Sequence, residues 1–139
     1  MTYLLDTTVL VDVDRGNAAT IAWLARQDAA RVYVSSITVW ELVRGAYRYY
    51  RQDALGLAGY MNNLSTQLSL GFGGRMLSFD REAAEIWGQL VGQGENSGRR
   101  PPIDDAKIAA IALAHNLTVA TSNTKDFAPL VATVDPRTA

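Results

Sequence analysis

The chain has 139 residues, no Cys and a formal net charge of −1, with 13 Lys and Arg against 14 Asp and Glu. This length predicts one domain, residues 1–139, which can bury a core without disulfides or structural zinc. The absence of Cys excludes thiolate metal sites, iron–sulfur clusters and cysteine nucleophiles. Because His115 is the only histidine, we expect any chemistry here to depend on carboxylates.

The hydropathy of the chain is that of a packed globule. Hydrophobic residues make up 48% and charged residues 19%, which does not suit a disordered chain. No apolar run approaches the roughly 20 residues that span a bilayer. No basic segment precedes the first apolar residues, so we expect no signal peptide and a cytoplasmic protein without membrane contact.

Apolar runs and helical patterns alternate along the first half of the chain. Tyr3-Leu4-Leu5 ends at Asp6 and is typical of a short buried strand. The β-branched and aromatic residues at 32–34 favour a second strand. In chain order we predict a strand at 3–5, a helical segment at 9–15 capped by Thr7 or Thr8, a helix at 18–27, a strand at 32–34, and helices at 38–51 and 53–68.

The second half repeats this alternation around a segment rich in Gly and Pro, which predicts a loop at 92–102. Strands that alternate with helices indicate an α/β fold with a mainly parallel sheet. The active crevice of such a sheet lies beyond the carboxyl ends of its strands. In chain order we predict a strand at 75–79, a helix capped by Asp80, the loop, a helix at 106–115 with Asn116 as its C-cap, and strands at 118–120 and 130–134.

Acidic and amide side chains follow the predicted strands. Asp6 ends the first strand, and Glu41 lies in the helix after the second. Asp105 opens the helix after the Pro-rich loop, and Asn123 and Asp126 follow the strand at 118–120. Carboxylates in one cleft repel each other, which a divalent cation relieves, and Mg²⁺ prefers oxygen ligands. The sequence therefore predicts an acidic cleft that holds a cation.

Each acid also has an ordinary interpretation. Asp6 suits a helix N-cap, and Asp104 and Asp105 suit the first turn of a helix, where the helix dipole favours negative charge. Asp126 suits a turn. Glu41 has apolar neighbours on both sides, so it is either half-buried or functional.

A basic stripe follows Glu41. Arg44, Arg48 and Arg51 come after it at successive spacings of 3, 4 and 3, which places them on one face of a helix. Two interpretations stay open. The stripe either tracks phosphates toward a metal, or it is a solvated face with an ion pair between Glu41 and Arg44.

Four ordered segments match a known pattern. The chain resembles the PIN-domain ribonuclease family, and within it the VapC toxins of prokaryotic type II toxin–antitoxin systems, from about residue 3 to residue 135. Four ordered segments with compatible spacing are a strong signal. They are LLDTTVL at 4–10, SSITVWELVRG at 35–45, DAKIAAIA at 105–112 and TVATSNTKDF at 118–127.

The resemblance implies a single PIN-like domain, an α/β fold whose mainly parallel twisted sheet has helices on both faces. It also implies the catalytic acids Asp6, Glu41, Asp105 and Asp126, the first three as metal ligands, with Asn123 sharing the fourth position. The family usually has Asn where this chain has Thr8, so the groups that orient the metal ligands can differ. The side chains expected around the metal or substrate are Thr8, Asp104, Thr121, Asn123 and Arg44.

The resemblance further implies an endoribonuclease that uses Mg²⁺ or Mn²⁺ and cleaves structured RNA such as tRNA or rRNA, which inhibits translation and growth. It implies a homodimer held inactive by a VapB-type antitoxin lying over the cleft. Four aromatic residues either line such a groove or belong to the core or the dimer interface: Trp23, Trp40, Tyr47 and Tyr50. The alternative is a catalytically inactive PIN-like module that binds RNA or a partner. A dehalogenase-type phosphatase is disfavoured because Thr8 replaces its second Asp.

Overall fold

Five short parallel strands form one sheet in the order β3-β2-β1-β4-β5. The structure is a computed structural model that describes all residues 1–139. It confirms the α/β fold with a parallel sheet. The strands are β1 (Tyr3–Leu5), β2 (Val32–Ser35), β3 (Met76–Leu77), β4 (Thr118–Ala120) and β5 (Thr133–Val134).

Seven α-helices connect and follow these strands. No helix is long and apolar enough to cross a membrane. A short 3₁₀ turn at Ala29–Arg31 precedes β2. The helices are α1 (Thr7–Asp14), α2 (Ala18–Ala25), α3 (Ser36–Tyr49), α4 (Ala54–Phe72), α5 (Arg81–Asn96), α6 (Ile103–Ala114) and α7 (Thr124–Phe127).

Helices cover both faces of the sheet. Successive side chains of the central strand point to opposite faces, so each face has a core of its own. Leu4 packs into a core with Ile108 and Phe127, and the adjacent Leu5 packs into a second core with Val9 and Trp23. All of these side chains are buried. With β1 in the middle, the carboxyl ends of β1, β2 and β4 lie side by side at one edge of the sheet.

The loop predicted at 92–102 is wrong over its first five residues, where α5 continues to Asn96. One glycine there, Gly94, serves a close approach instead of a turn. A Cβ built on Gly94 would lie 2.5 Å from the carbonyl oxygen of Arg99 as the chain returns past the helix. The helix predicted at 53–68 likewise continues to Phe72. The strands predicted at 75–79 and 130–134 shrink to two residues each.

Helix ends also differ from the prediction. The residue at the N-cap position of α1 is Asp6, and neither Thr7 nor Thr8 caps the helix, because both hydroxyls bond to acidic side chains instead. Asp80 caps α5 as predicted, with its Oδ1 accepting from the Ala83 N–H at 3.0 Å. The helix predicted at 106–115 begins earlier, at Ile103, and α7 had not been predicted.

Candidate active site

A cleft of about 340 Å³ opens at the carboxyl edge of the sheet. It lies where β1 and β4 end and where α1, α3 and α6 begin, as expected for an open parallel sheet. We call it the carboxylate cleft. Its lining residues are Asp6, Thr7, Thr8, Val11, Asp12, Arg15, Glu41, Asp105, Ser122, Asn123 and Arg137.

Asp6 forms the floor of the cleft and is only 4% exposed. Its Oδ2 accepts hydrogen bonds from the hydroxyls of Thr121, at 2.8 Å, and Thr8, at 3.1 Å. Burial raises the pKa of the Asp6 carboxyl, and the Thr121 hydrogen bond opposes that rise. The Thr8 oxygen also accepts from the Ser122 N–H at 3.2 Å, which ties the start of α1 to the chain after β4.

Glu41 reaches the cleft from the second turn of α3. The Thr7 hydroxyl donates to Glu41 Oε1 at 2.9 Å, and the same hydroxyl lies 3.1 Å from the Thr38 hydroxyl. Burial raises the pKa of Glu41, the Thr7 hydrogen bond opposes this, and the charges of Asp6 and Asp104 add to it. The side chain is half-buried, in agreement with its apolar neighbours in the sequence.

Asp105 lies in the first turn of α6 and is bridged to Asp126 by one amide. Asn123 Nδ2 donates to Asp126 Oδ2 at 2.9 Å and to Asp105 Oδ2 at 3.3 Å. Burial raises the pKa of Asp105 to about 7, and the surrounding carboxylates, led by Asp6, add to the rise. The three salt bridges of the protein involve none of these acids. No ion pair within the protein therefore balances their negative charge.

The donor set of the cleft fits a hard divalent cation. The groups that converge are carboxylate, hydroxyl and amide oxygens, with no imidazole or thiolate among them. No group of three or more His, Cys, Asp or Glu side chains is positioned to enclose a metal ion by itself. Mg²⁺ needs no such enclosure, because it keeps several waters and takes only one or two carboxylates directly.

Other predicted site residues lie behind or outside the cleft. Thr121 is fully buried behind Asp6, and Asp126 reaches the cleft only through Asn123. The ion pair considered between Glu41 and Arg44 does not form. Instead the Arg44 guanidinium lies 5.5 Å from the centroid of the Trp40 ring.

The aromatic residues predicted to line a groove divide into two groups. Trp23 is buried and packs edge-on against Tyr3, with ring centroids 5.0 Å apart, so it belongs to the core. Trp40 and Tyr47 are 49% and 57% exposed on α3. Tyr50 is half-buried and contacts the ring of Tyr60.

The sequence interpretation missed an ion pair in the same cleft. Arg137 donates to Asp12 through Nε at 2.8 Å and through Nη2 at 2.6 Å. The Thr20 hydroxyl donates to Asp12 Oδ2 at 3.2 Å. Asp12 and Arg137 are 125 residues apart, and no local motif joins them, so only the fold reveals the pair.

Comparisons with known proteins agree on one family. Residues 3–130 match the family model described as PIN domain. The chain is 32% identical over 126 residues to the VapC ribonuclease Y4jK of Sinorhizobium fredii, with 89% of each chain covered. The matched range contains every residue of the carboxylate cleft except Arg137.

Solved structures agree with this match. The crystal structure of FitAcB from Neisseria gonorrhoeae superposes with a TM-score of 0.87 at 33% identity, covering 97% of this chain and 98% of that one. A toxin–antitoxin complex from Klebsiella pneumoniae superposes with a TM-score of 0.74 at 26% identity, covering 97% and 98%. The similarity therefore extends over almost the whole chain.

Proposed function

Because this chain belongs to the PIN-domain family, we propose that it is an endoribonuclease of the VapC type that depends on a divalent cation. The observation that carries the proposal is the convergence of Asp6, Glu41 and Asp105 on one cleft, where no Lys or Arg pairs with them. A relative that spans nearly the same length is named a VapC ribonuclease, which supports the activity.

Mg²⁺ suits this donor set best, and Mn²⁺ is the alternative. Asp6, Glu41 and Asp105 face the cleft and would hold the ion, one or two of them directly and the rest through the waters that the ion keeps. When bound, the cation supplies a Lewis acid that activates water and offsets the charge that develops on the phosphodiester. Because this cleft has an excess of negative charge, a bound cation would favour the approach of RNA to the carboxylates.

The surrounding polar residues fix the carboxylates in place. The hydroxyls of Thr8 and Thr121 both donate to the same oxygen of Asp6, Oδ2. Asn123 orients Asp105 and is itself held by Asp126, so we propose Asp126 as a positioning residue.

Thr7 orients Glu41 from the first turn of α1. Asp104 adds negative charge next to Glu41 and Asp105. The Thr8 hydroxyl, where the family usually has Asn, donates to Asp6 and accepts from the Ser122 N–H, which keeps Asp6 oriented. We therefore expect the substitution to preserve activity.

The proposed substrate is a structured RNA such as tRNA or rRNA, whose cleavage inhibits translation and growth. The proposed partners are a second copy of this chain and a VapB-type antitoxin that covers the cleft. Exposed Trp40 and Tyr47 share α3 with Arg44 and Arg48, which offers rings for stacking and charges for phosphates. A fold neighbour that is described as a toxin–antitoxin complex supports the antitoxin partner.

The experiment is cleavage of bulk tRNA and of total RNA by the purified chain with Mg²⁺ and with EDTA. We expect cleavage with Mg²⁺ only, and we expect Asp6→Asn to lower the rate by at least about 100-fold. Asn keeps the shape of Asp6 and one acceptor oxygen for the two threonines. The matched control is Asp53→Asn, an exposed cap of α4 that accepts from the Gly56 N–H.

The outcomes separate the two functions. An Asp6→Asn variant that cuts RNA as fast as the unchanged chain would remove the carboxylate cleft from the reaction. A chain that binds RNA without cutting it, with Mg²⁺ or Mn²⁺, would instead favour the inactive PIN-like binding module.

A further inference from the structure

Arg137 is a guanidinium built into the wall of the carboxylate cleft. Two parallel hydrogen bonds fasten it to Asp12, which is only 7% exposed and also accepts from the Thr20 hydroxyl. The backbone N–H of Arg137 donates to Asp135 Oδ1 at 2.9 Å, which shapes the turn that delivers it. The side chain is thus held at both its ends.

This arrangement leaves part of the guanidinium available. The bonds to Asp12 use Nε and one N–H of Nη2, while Nη1 and the second N–H of Nη2 make no hydrogen bond within the protein. The Arg137 side chain is 47% exposed. An arginine that is already immobilised loses little entropy on binding an anion, and guanidinium groups recognise phosphate through paired N–H donors.

A second cation lies on the same wall. Arg15, at the C-terminal end of α1, lines the cleft, and its charge acts on Asp12. The cleft therefore combines one region of unpaired carboxylates with another that carries two guanidinium groups. A polyanion that passes through it meets repulsion from the acids unless its phosphates find cations on either side.

Given the ribonuclease function proposed above, we infer that Arg137, held by Asp12, binds an RNA phosphate next to the phosphodiester that is cleaved, with Arg15 adding to the attraction. Arg137 is a substrate-binding residue in this scheme and takes no part in holding the cation. Its supporting carboxylate, Asp12, serves as a positioning residue.

The competing role is purely structural. The C-terminal segment, residues 133–139, is also fastened by Arg26, whose Nη2 donates to the carbonyl oxygen of Ala139 at 3.1 Å. If Arg137 only fastens this segment, then Asp12→Asn, Arg137→Ala and Arg26→Ala should act alike, through stability. If Arg137 binds phosphate, these variants must diverge.

The test measures binding of a labelled mixed-sequence single-stranded RNA oligonucleotide and of bulk tRNA across a salt series, with Asp6→Asn in every protein. The decisive variant is Asp12→Asn/Arg137→Met, which removes both charges of the pair, leaves the net charge unchanged and avoids an unpaired buried carboxylate. We expect it to bind RNA about tenfold more weakly at low salt, as for a lost hydrogen bond to a charged group. The salt slope should flatten by up to about 0.7.

Single variants complete the comparison. Asp12→Asn alone keeps the guanidinium and one acceptor oxygen but loses the charge that holds Arg137 in place, so RNA binding should weaken less than in Arg137→Ala. Arg137→Lys keeps the charge but loses the paired N–H donors of the guanidinium. We expect it to bind RNA more tightly than Arg137→Ala and more weakly than the parent. Arg26→Ala should leave both the affinity and the salt slope unchanged, since this residue lies outside the cleft.

Equal RNA binding by the double variant and its parent would overturn the inference, and so would a loss on Asp12→Asn equal to the loss on Arg137→Ala. Cleavage by the unchanged chain is measured separately with Mg²⁺. If the chain cuts RNA and the double variant binds it normally, only the role of Arg137 fails. If the chain cuts no RNA at all, the proposed function fails.

Discussion

Two aspartates at the two ends of α1 share one cleft and have opposite electrostatic surroundings. Asp6 and Asp12 are 4% and 7% exposed, so they are buried to nearly the same extent. The pKa of Asp6 is raised, mainly because it is buried. The pKa of Asp12 is lowered, mainly because Arg137 donates hydrogen bonds to it.

The difference teaches that burial alone does not identify a functional acid. An acid that forms an ion pair within the protein is already neutralised. Removing its partner leaves a buried charge without compensation. An acid that lies among other acids keeps an uncompensated negative charge until a cation binds. Asp6, Glu41 and Asp105 are of this second kind, and Asp12 is of the first.

The largest effect expected from this contrast concerns Mg²⁺. Glu41→Gln should weaken Mg²⁺ binding by about 10- to 100-fold, because a carboxylate near the ion is lost while its shape and its bond to Thr7 are kept. Asp12→Asn should leave Mg²⁺ affinity unchanged and lower the melting temperature instead. The measurement is the melting temperature as a function of Mg²⁺ concentration, which reports affinity through the stabilisation that binding causes.

The two variants act as controls for each other. If Glu41→Gln lowers the melting temperature in EDTA and leaves the Mg²⁺ response intact, Glu41 is structural. If Asp12→Asn loses the Mg²⁺ response, the distinction between the two aspartates is wrong.

A second effect of the contrast is a pH dependence of stability in EDTA. Because the pKa of Asp105 is about 7 in the folded protein against an ordinary value of 3.8, the folded state binds this proton more tightly than the unfolded state. Stability should therefore fall as pH rises from about 4 to about 7. Asp105→Asn should reduce this fall, leaving the part due to Asp6 and Glu41, and raise the melting temperature at pH 8 by a few degrees, less the effect of solvent screening at this half-exposed side chain.

Asp12 has the opposite sign and supplies the comparison within the same protein. Its pKa is lowered, so it stabilises the fold above its ordinary pKa and loses that contribution as pH falls below about 4. Asp12→Asn should therefore cost stability at pH 8 and cost progressively less as pH falls below about 4. A parallel decline of the unchanged chain and Asp105→Asn between pH 5 and pH 8 would count against the raised pKa of Asp105.

Local patterns were enough to predict the fold class and the clustering of acids. Asp6, Glu41 and Asp105 each follow or begin an element whose signature is local, and the parallel sheet then brings them to one edge. The chain between Gly92 and Asn96 was mispredicted because helix-breaking residues there are tolerated by tertiary packing, as the close approach of Arg99 to Gly94 illustrates.

The rest of the cleft depends on distant contacts that no local pattern encodes. The bonds from Thr121 to Asp6 and from Arg137 to Asp12 join residues 115 and 125 positions apart. Side-chain packing likewise decides whether Arg44 pairs with Glu41 or contacts a ring, and in the structure it lies over the neighbouring Trp40 ring.

The smallest effect concerns Arg44, which lies outside the cleft and pairs with no acid. Its guanidinium stacks on the exposed Trp40 ring, so both the charge and the ring face solvent. If this pair meets RNA, Arg44→Ala in the Asp6→Asn background should flatten the salt slope of RNA binding by up to about 0.7, the loss of one phosphate contact.

Cleavage at saturating RNA should change little in Arg44→Ala, because substrate binding away from the reacting atoms affects the Michaelis constant more than the turnover rate. The matched control is Arg81→Ala, an exposed arginine paired with Glu85 on α5, which should leave the slope unchanged. An unchanged slope for Arg44→Ala together with weaker antitoxin binding would assign the α3 face to the protein partner. RNA attraction would then rest on the cations of the cleft itself, Arg15 and Arg137.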